Sequence, residues 1–351
     1  MIFSNKGMVR SACRPSRAYT GPDRHRQHIM PNRQRIGLTG ATGFVGRQLL
    51  PRLLQQGASV QALARPAPGR KMADRPGLKW VAGDLGSADA LDRLTRNTDI
   101  VIHLAGATKA RNRAAFDEVN ATATGRLAGI AQKTGVKHFI LVSSLAATRP
   151  HVSAYAASKA AGERLVRDAA GTMPVSIVRA PAVIGPGDMA THQMFRLLAK
   201  GVLPVPGGYA RNHRFSVIDV EDLAAVLARC ALVNTPQSAL MAPASHLNVE
   251  WQDIADSAAR VTGRNVRMVS VPAWLFSTVG IVADGAARLT GRPHVFSSGK
   301  VRELQAGDWL ADRVVDLPTP LDTTMTRSLA PFLDSGRPHF VHSTGNDGRD
   351  M

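Results

Sequence analysis

Thr39-Gly40-Ala41-Thr42-Gly43-Phe44-Val45-Gly46 is a glycine-rich stretch between a short apolar run, Arg35–Thr39, and a segment of helical periodicity. Glycine permits a tight turn and a close backbone approach, and the N–H groups that open the following helix can bind a pyrophosphate. The GxxGxxG spacing alone also suits a purely structural turn. Its place between a strand and a helix is the context of a dinucleotide-binding turn, so the sequence predicts one here.

Segments of strand and helix character alternate after this turn. The predicted strands are Arg35–Thr39, Ser59–Ala64, Leu78–Ala82, Asp99–Leu104, His138–Val142 and Val175–Val178. The predicted helices are the segment with Leu49 and Leu53, then Asp89–Arg96, Asn120–Lys133 and Ala154–Ala169. Alternating βα units predict an α/β fold, a Rossmann-type doubly wound parallel sheet with helices on both faces.

The pattern divides the chain into four predicted parts. Residues 1–32 lack apolar periodicity and are predicted to be a disordered basic extension, with a transit peptide or a translation start at Met30 as other interpretations. Residues 33–232 form the predicted NAD(P)-binding domain, which contributes part of the substrate site from about residue 185. Residues 233–330 form a smaller, mostly helical substrate or lid lobe, and residues 331–351 a flexible tail. A Gly/Pro turn is predicted at Pro204–Gly208.

The composition is that of an ordinary globular protein. Of 351 residues, 44% are apolar and 20% are charged, which excludes a wholly disordered, collagenous or coiled-coil chain. Cys13 and Cys230 are too few for a disulfide framework or a cysteine-based zinc site, and they favour a reducing compartment. The longest apolar run, between Val271 and Ala283, is too short to cross a membrane, so no transmembrane segment is predicted.

The net charge of +18 invites a nucleic-acid interpretation, which the distribution of the charge does not support. Residues 1–35 contain eight basic residues and one acidic residue. The remaining positive charge forms no lysine or arginine block and has no interleaved aromatic residues. The sequence therefore predicts a solvated basic surface and no nucleic-acid partner.

Arg65 follows the second predicted strand, where an NAD-selective site places a carboxylate for the ribose 2′-hydroxyl. Arg70 and Lys71 lie shortly beyond it. A guanidinium at this position can pair with a 2′-phosphate, so the sequence favours NADP as the cofactor, with NAD as the second option. The alternative is that Arg65 only begins a solvated loop.

Tyr155 and Lys159 are four residues apart in a predicted helix and therefore share one face. An ammonium beside a phenol favours the phenolate and lowers the phenol pKa from about 10, which makes tyrosine usable as a general acid or base near neutral pH. Ser143 and Ser144 come just after a predicted strand, and a hydroxyl there can hold a substrate oxygen. A YxxxK spacing also occurs by chance on helix surfaces.

Eight short segments together resemble the extended branch of the short-chain dehydrogenase/reductase superfamily. This branch includes nucleotide-sugar epimerases and dehydratases, 3β-hydroxysteroid dehydrogenases and dihydroflavonol reductases. The matching segments are TGATGFVG (39–46), GDL (83–85), HLAGAT (103–108), VN (119–120), VSS (142–144), YAASK (155–159), RAPAVIGPGD (179–188) and FSVIDVEDLA (215–224). Each is weak alone, and their common order over residues 35 to 235 makes the resemblance specific.

The resemblance implies roles for individual residues. Ser144, Tyr155 and Lys159 are the implied catalytic residues, with Ser143 as second choice for the hydroxyl. The backbone around Phe44 and Val45 is implied to hold the pyrophosphate, and Lys159 is also implied to hydrogen-bond the nicotinamide ribose.

Asp84 and Leu85 would contact the adenine, although Asp84 also suits a turn after a strand. Pro181 to Val183 would lie beside the nicotinamide carboxamide. With Arg65, the complete set of predicted cofactor-binding residues is Gly40, Thr42, Gly43, Phe44, Val45, Gly46, Arg65, Asp84, Leu85, Ala105, Gly106, Tyr155, Lys159, Pro181 and Val183.

Several other polar and apolar residues have two interpretations. His103 is predicted to be a hydrogen-bonded packing residue, and because the histidines lack metal-ligand spacing no metal site is predicted. Arg211 and Arg214 either reach a substrate anion or belong to a solvated loop. Apolar side chains in the C-terminal lobe either form a lid or ordinary core; they are Trp251, Val271, Trp274, Leu275, Phe276 and Ile281.

The residues and the resemblance together predict an NADP-dependent oxidoreductase that transfers hydride between nicotinamide and a secondary alcohol or ketone. A sterol-, terpenoid- or flavonoid-like small molecule is the expected substrate. The alternatives are a nucleotide-sugar epimerase or dehydratase with tightly held NAD(P), and a non-catalytic cofactor-sensing or assembly protein, a kind that tends to lose the tyrosine and lysine retained here. A cytoplasmic location is expected, or an organelle matrix if residues 1–32 are a transit peptide, and a homodimer is left open.

Overall fold

The computed structural model describes residues 34–66, 72–189, 191–233, 235–272, 274, 275, 278 and 298–333. The predicted extension, residues 1–32, and most of the predicted tail, from 334 on, lie outside these residues. The strands described are β1 (Arg35–Thr39), β2 (Ser59–Ala64), β3 (Leu78–Ala82), β4 (Ile100–His103), β5 (His138–Ser144), β6 (Val175–Ala180), β7 (Ala182–Ile184), β8 (Val202–Pro206), β9 (Phe215–Asp219), β10 (Ala239–Met241), β11 (Pro243–Ala244), β12 (His246–Val249), β13 (Arg267–Val271) and β14 (Arg313–Val314).

The helices of the described residues alternate with these strands. They are α1 (Phe44–Gln55), α2 (Ala88–Thr95), α3 (Arg113–Asp117), α4 (Ala123–Lys133), α5 (Ala154–Ala170), α6 (His192–Leu198), α7 (Val220–Ala231), α8 (Trp251–Thr262), α9 (Ser298–Gln305) and α10 (Leu321–Leu333). A π-helical turn, Glu118–Thr122, joins α3 to α4, and a 3-10 turn, Leu145–Thr148, follows β5. None of the described helices is both long and apolar enough to cross a membrane.

The central sheet has the parallel order β10-β6-β5-β4-β1-β2-β3 within the described residues. Its inner strands are mostly apolar: all four residues of β4, of which only His103 is polar, are buried, as expected for strands covered on both faces. β1 and β4 are neighbours although they are not consecutive in the chain, so the direction of winding changes between them. In doubly wound sheets the ligand binds outside the carboxyl ends of the strands at such a point.

Two helical layers cover the sheet because their apolar faces match its two surfaces. On one face, Leu49 and Leu53 of α1 and Leu223 of α7 pack against β1 and its neighbours. On the other face, helices α2, α4 and α5 bury Leu91, Leu127 and other apolar side chains. The predicted doubly wound α/β architecture is confirmed.

The C-terminal part has its own apolar core, which combines short strands with helices. Phe195 of α6, Leu203 of β8, Ile254 of α8 and Met325 of α10 all pack there. The residues from Pro204 to Gly208 were expected to form a turn, and that prediction is wrong for the first three, which belong to β8. Pro204 is tolerated because, among the described strands, β8 pairs only with β13 and keeps an edge without ladder bonds.

His138, the first residue of β5, is buried and uncharged. Its Nε2 lies 2.9 Å from Ser176 Oγ, and its Nδ1 has no hydrogen-bond partner among the described residues. Burial lowers the pKa of His138 to about 4 from its ordinary value of 6.5. The unfolded chain therefore binds more protons than the folded chain between these pH values, and acid favours unfolding.

We expect the free energy of unfolding to fall below pH 6.5, by up to about 1.4 kcal/mol per pH unit for this histidine. Urea unfolding measured at several pH values tests this. In His138→Gln the dependence should be shallower than in the wild type, whereas replacing the exposed His151 by Gln should leave it unchanged. An identical slope in all three proteins would contradict the role of His138.

Candidate active site

The glycine-rich turn after β1 packs against the segment after β4. Gly40 has φ +73°, and a Cβ atom there would lie 2.8 Å from the backbone nitrogen of Ala105. A Cβ atom at Gly46 would lie 2.1 Å from the carbonyl oxygen of Gly40. Only glycine allows this close approach of backbone segments at both positions.

The first turn of α1 is built to receive an anion. Its N-cap is Gly43, which has no side chain to cap the turn, and the first turn contains no acidic residue. The N–H groups of Phe44 and Val45 open the helix here, where orphan donors and the helix dipole favour negative charge. Thr42 beside them is exposed. This cradle fits the pyrophosphate of a dinucleotide cofactor.

Arg65 and Asp84 lie at the carboxyl ends of β2, which pairs with β1, and of β3, which pairs with β2. Arg65 is exposed directly after β2. Asp84 follows β3, and its Oδ1 accepts a hydrogen bond from Gly86 N at 2.9 Å, the geometry of a turn residue. The backbone oxygen of Leu85 accepts a bond from Arg126 Nη1 at 3.3 Å. The structure thus places all three at the edge of the sheet formed by the carboxyl ends of the strands, and the Asp84 side chain makes the turn bond that was the alternative interpretation.

His103, at the end of β4, is a packing residue in a buried hydroxyl network. Thr39 Oγ1 lies 2.6 Å from its Nδ1, and Thr124 Oγ1 lies 3.0 Å from its Nε2. Burial, with a smaller effect from Lys159, lowers the pKa of His103 to about 3. Thr39 Oγ1 also accepts a bond from Ala105 N, so the neutral imidazole helps to fix the loop after β4.

Ala105 and Gly106 lie between the glycine-rich turn and the predicted catalytic lysine. A Cβ atom at Gly106 would lie 3.1 Å from Asn120 Oδ1 and 3.8 Å from Lys159 Nζ. This places the loop after β4 beside both groups.

Asn120 is a site residue whose role the sequence did not reveal. Its Oδ1 accepts from Ala107 N at 2.8 Å, and its Nδ2 donates to Ala107 O at 2.9 Å and to Ser158 Oγ at 3.0 Å. It lies in the π-helical turn where a regular helix was predicted, and a Cβ atom at Gly162 would come within 2.1 Å of its carbonyl oxygen. The π-helical turn allows the backbone of Asn120 to lie close to α5. In the sequence, the VN segment at 119–120 was the feature that could have pointed to this residue.

Lys159 is buried on α5 and donates from Nζ to the carbonyl oxygen of Val142 at 2.8 Å. Burial lowers its pKa to about 8, and the nearby carboxylate of Glu163 opposes this. The ammonium is therefore still the main form at neutral pH. It loses its charge at moderately alkaline pH.

Tyr155, in the first turn of α5, has its hydroxyl near the Ser144 side chain, which favours the phenolate. The Phe116 ring lies 6.0 Å away in an edge-on arrangement. The pKa of Tyr155 is raised to about 12, mainly by burial; the Ser144 side chain opposes this rise and the carboxylate of Glu303 contributes to it. The predicted lowering of this pKa is wrong for the structure described, because burial of the phenol disfavours the charged phenolate.

The two serines at the end of β5 have different partners. Ser143 Oγ donates to Glu163 Oε1 at 2.6 Å and is buried. Ser144 Oγ accepts from Ala146 N at 3.2 Å and meets Tyr155. Both belong to β5 itself rather than following it. The geometry favours Ser144 over Ser143 as the hydroxyl beside a substrate oxygen.

Glu163 and Arg179 form a buried ion pair under the site, which sequence patterns did not indicate. Arg179 Nε and Nη2 lie 2.8 and 2.6 Å from the two carboxylate oxygens. Glu163 follows Lys159 by one turn of α5, and only 2% of its side chain is exposed. The pair fixes α5 to β6, and its carboxylate, Glu163, places a negative charge near Lys159.

The structure groups only some of the residues that were predicted to contact the nicotinamide or the substrate. Pro181 and Val183 are half-buried at the end of β6 and in β7. Arg214 Nε pairs with Glu250 at 3.1 Å, and its backbone N donates to Asp308. Arg211 is exposed. Of the predicted lid residues, Trp251 is part of the core, and its ring centroid lies 4.8 Å from that of Phe215. Val271 is the last residue of β13, and Trp274 and Leu275 are exposed. Phe276 and Ile281 lie outside the described residues.

Sequence and structure comparisons identify relatives of this chain. A profile described as the NAD dependent epimerase/dehydratase family matches residues 36–238. The "Ceramide reductase" of Caulobacter vibrioides (strain NA1000 / CB15N) is 40% identical over 277 residues, covering 78% of this chain and 85% of the relative. The "UDP-glucose 4-epimerase" of Vibrio cholerae is 27% identical over 289 residues, covering 73% and 85%. The Bordetella bronchiseptica enzyme WbmH, solved in complex with NAD+, shares the fold with a TM-score of 0.62 at 18% identity, over 87% of this chain and 99% of that chain.

Proposed function

The chain belongs to the NAD dependent epimerase/dehydratase family, in the extended short-chain dehydrogenase/reductase superfamily, and from this premise we propose that it is an NADP-dependent reductase of a ketone on a ceramide-type lipid. That it is an NAD(P)-dependent enzyme follows from the family. The choice of substrate is carried by the 40% identity to a ceramide reductase over most of both chains. A ceramide contains a secondary alcohol, whose oxidised form is such a ketone.

The C-terminal lobe supports an apolar substrate. The side chains of Trp274 and Leu275 are 68% and 40% exposed, and Val269 on the preceding strand is 42% exposed. Exposed apolar side chains that follow one another closely in the chain are consistent with a surface that meets an apolar partner. An acyl chain replaces the sterol-, terpenoid- or flavonoid-like substrate expected from the sequence.

In this proposal Tyr155 donates its proton to the ketone oxygen, and the Ser144 hydroxyl holds the same oxygen. The bound reduced nicotinamide supplies the hydride that reaches the carbonyl carbon. Because the pKa of Tyr155 is raised to about 12, the phenol carries its proton at neutral pH and can act as an acid. The Lys159 ammonium then stabilises the phenolate that forms, and it also binds the nicotinamide ribose.

A nucleotide-sugar epimerase is the second candidate, favoured by the relative from Vibrio cholerae. Such a substrate carries a diphosphate, for which Arg211 and Arg214 are the candidate ligands. Arg214 is already engaged by the Glu250 carboxylate, at 3.1 Å. Because Arg214 is paired with Glu250, it is less suited to bind a diphosphate, which weakens the epimerase proposal. The pairing has no bearing on the proposed cofactor site.

An absorbance assay of NADPH distinguishes the two candidates. We expect net NADPH oxidation with ketone forms of ceramides, and little with a sterol ketone, a dihydroflavonol or UDP-glucose. Conversion of UDP-glucose without net change of the cofactor would instead support the epimerase.

For the cofactor, we expect NADPH to bind more tightly than NADH, and Arg65→Asp to weaken NADPH binding by about 10-fold or more. The reason is that the 2′-phosphate of NADPH would lose a charge-assisted pair with the guanidinium and would face a carboxylate instead. Fluorescence titration with both cofactors measures this. Arg75→Asp, which changes another exposed arginine by the same charge, is the matched control and should keep the preference. If the wild type binds NADH and NADPH equally well, Arg65 is only a loop residue.

A further inference from the structure

Residues 298–309 of the C-terminal lobe, here called the α9 segment, dock onto the residues that precede α5. Arg149 donates to the carbonyl oxygens of Ala306 at 2.7 Å and Asp308 at 2.5 Å. Its guanidinium lies 4.6 Å from the centre of the Trp309 ring. Arg302 Nε donates to the carbonyl oxygen of Val152 at 3.0 Å. The α9 segment is therefore tied to the start of the helix that carries Tyr155 and Lys159.

The other side of the α9 segment is held by β9. Trp309 N donates to Arg214 O at 2.9 Å, and Ser216 N donates to Trp309 O at 2.9 Å. The Trp309 indole donates to the backbone oxygen of Glu303 at 2.7 Å. These bonds fix the position of Glu303 from two directions.

Glu303 reaches the N-terminus of α5 with a buried carboxylate. Only 7% of the residue is exposed. Its Oε1 accepts a bond from Ser153 Oγ at 2.6 Å, and Ser153 is the N-cap of α5, accepting from Ala156 N at 2.9 Å. Lys300 Nζ lies 3.1 Å from the other carboxylate oxygen. A carboxylate at this end of a helix is stabilised by the helix dipole.

We propose that Glu303 is a positioning residue of the reaction, whose buried carboxylate acts through Ser153 on the first turn of α5 and keeps the Tyr155 hydroxyl in place and protonated. The proposal rests on the proposed function of Tyr155 as the proton donor. It explains why a residue 150 positions away in the chain, in the substrate lobe, is buried against the catalytic helix.

The charge of Glu303 changes the pKa of Tyr155 in one direction. The negative charge of Glu303 disfavours a phenolate and raises the pKa of Tyr155, whereas the Ser144 side chain opposes this rise. Other charged side chains stand on the elements packed around the first turns of α5. They are Lys159 on α5, Lys300 and Arg302 on the α9 segment, Arg149 before α5, Arg113 and Asp117 on α3, and Glu118 in the π-helical turn.

Glu303→Gln tests the charge because it keeps the size and the acceptor oxygen. In reduction, activity is lost when Tyr155 loses its proton, so the part of the alkaline limb of the kcat profile that belongs to Tyr155 should move to lower pH. The Kd for NADPH should stay within about twofold, since the affected group is not the cofactor cradle. Asp89→Asn, which removes an exposed carboxylate on α2, is the control and should not move the limb.

A spectroscopic readout follows Tyr155 without turnover. Protein labelled with ¹³C at tyrosine Cζ is titrated by NMR with NADPH bound and without it, and the Tyr155 resonance is assigned from Tyr155→Phe. The resonance should begin to titrate at lower pH in Glu303→Gln and return toward the wild-type value in Glu303→Asp. Identical titrations in Glu303→Gln and the wild type would overturn the charge role.

Ser153→Ala tests the positioning part, because it removes the bond to Glu303 and leaves the carboxylate. We expect kcat to fall several-fold with an unchanged Kd for NADPH, in a protein that still unfolds cooperatively. An unchanged kcat would overturn the positioning role. If the wild type reduces no ketone, the proposed function fails, and the NMR comparison still decides whether Glu303 controls the Tyr155 proton.

Discussion

Replacing Tyr155 by phenylalanine should lower kcat by about 10²- to 10⁴-fold and leave the Kd for NADPH nearly unchanged. The ring still fills its place beside Phe116, and only the hydroxyl that meets Ser144 is lost. A positioned acid or base contributes about this much to a rate. Because the interaction is needed in the transition state, the loss should fall on kcat. Steady-state kinetics together with fluorescence titration of the cofactor measures both quantities.

Lys159→Ala and Ser144→Ala serve as comparisons. Lys159→Ala should reduce both kcat and cofactor affinity, since the ammonium is assigned to the phenolate and to the ribose. Ser144→Ala should have a smaller effect on kcat than either variant, if water can bind the substrate oxygen. Near-normal turnover by Tyr155→Phe would exclude this residue as the proton donor.

Replacing Glu163 by alanine should destabilise the fold by about 3 to 5 kcal/mol. The carboxylate accepts two bonds from Arg179 and one from Ser143, and its side chain is only 2% exposed. Removing one partner leaves the other charge buried and uncompensated, which costs far more than the pair itself contributes. Urea unfolding followed by circular dichroism gives the free energy.

Two further variants show whether the effect comes from an unpaired charge. Asp89→Ala breaks the exposed ion pair with Arg93 and should cost less than about 1 kcal/mol. The double variant Glu163→Leu with Arg179→Met removes both buried charges and should recover much of the stability. A loss in Glu163→Ala no larger than that in Asp89→Ala would contradict the assigned role.

The positions of the first strands and their parallel direction were predictable because each inner strand is a short, mostly apolar run between turn signals. β1, β2 and β3 have the predicted bounds, and α5 ends one residue later than predicted. The π-helical turn was not predictable, since it depends on Asn120 bonding a loop and on Gly162 approaching its backbone. Pro204 indicated a turn locally, and only the partner strand β13 makes it part of a strand.

Within the candidate site, the sequence spacing predicted that Tyr155, Lys159 and Ser144 lie close together. The first two are on one face of α5, and Ser144 is at the end of the preceding strand, β5. Spacing carries no information on burial, and burial is what raises the pKa of Tyr155 instead of lowering it. Glu163 and Glu303 were missed for a related reason. Their partners, Arg179 and Ser153, are distant in sequence and meet them only in the folded chain.

The direction of hydride transfer is measured most directly with NADPH deuterated at nicotinamide C4 and a ceramide ketone. Mass spectrometry of the lipid and absorbance of the cofactor are followed in the same reaction. We expect one deuterium to appear at the new alcohol carbon for each NADPH consumed, and none with Tyr155→Phe over the same time. A lipid that remains unlabelled, with UDP-glucose converted while NADPH is not consumed, would contradict the proposed reductase.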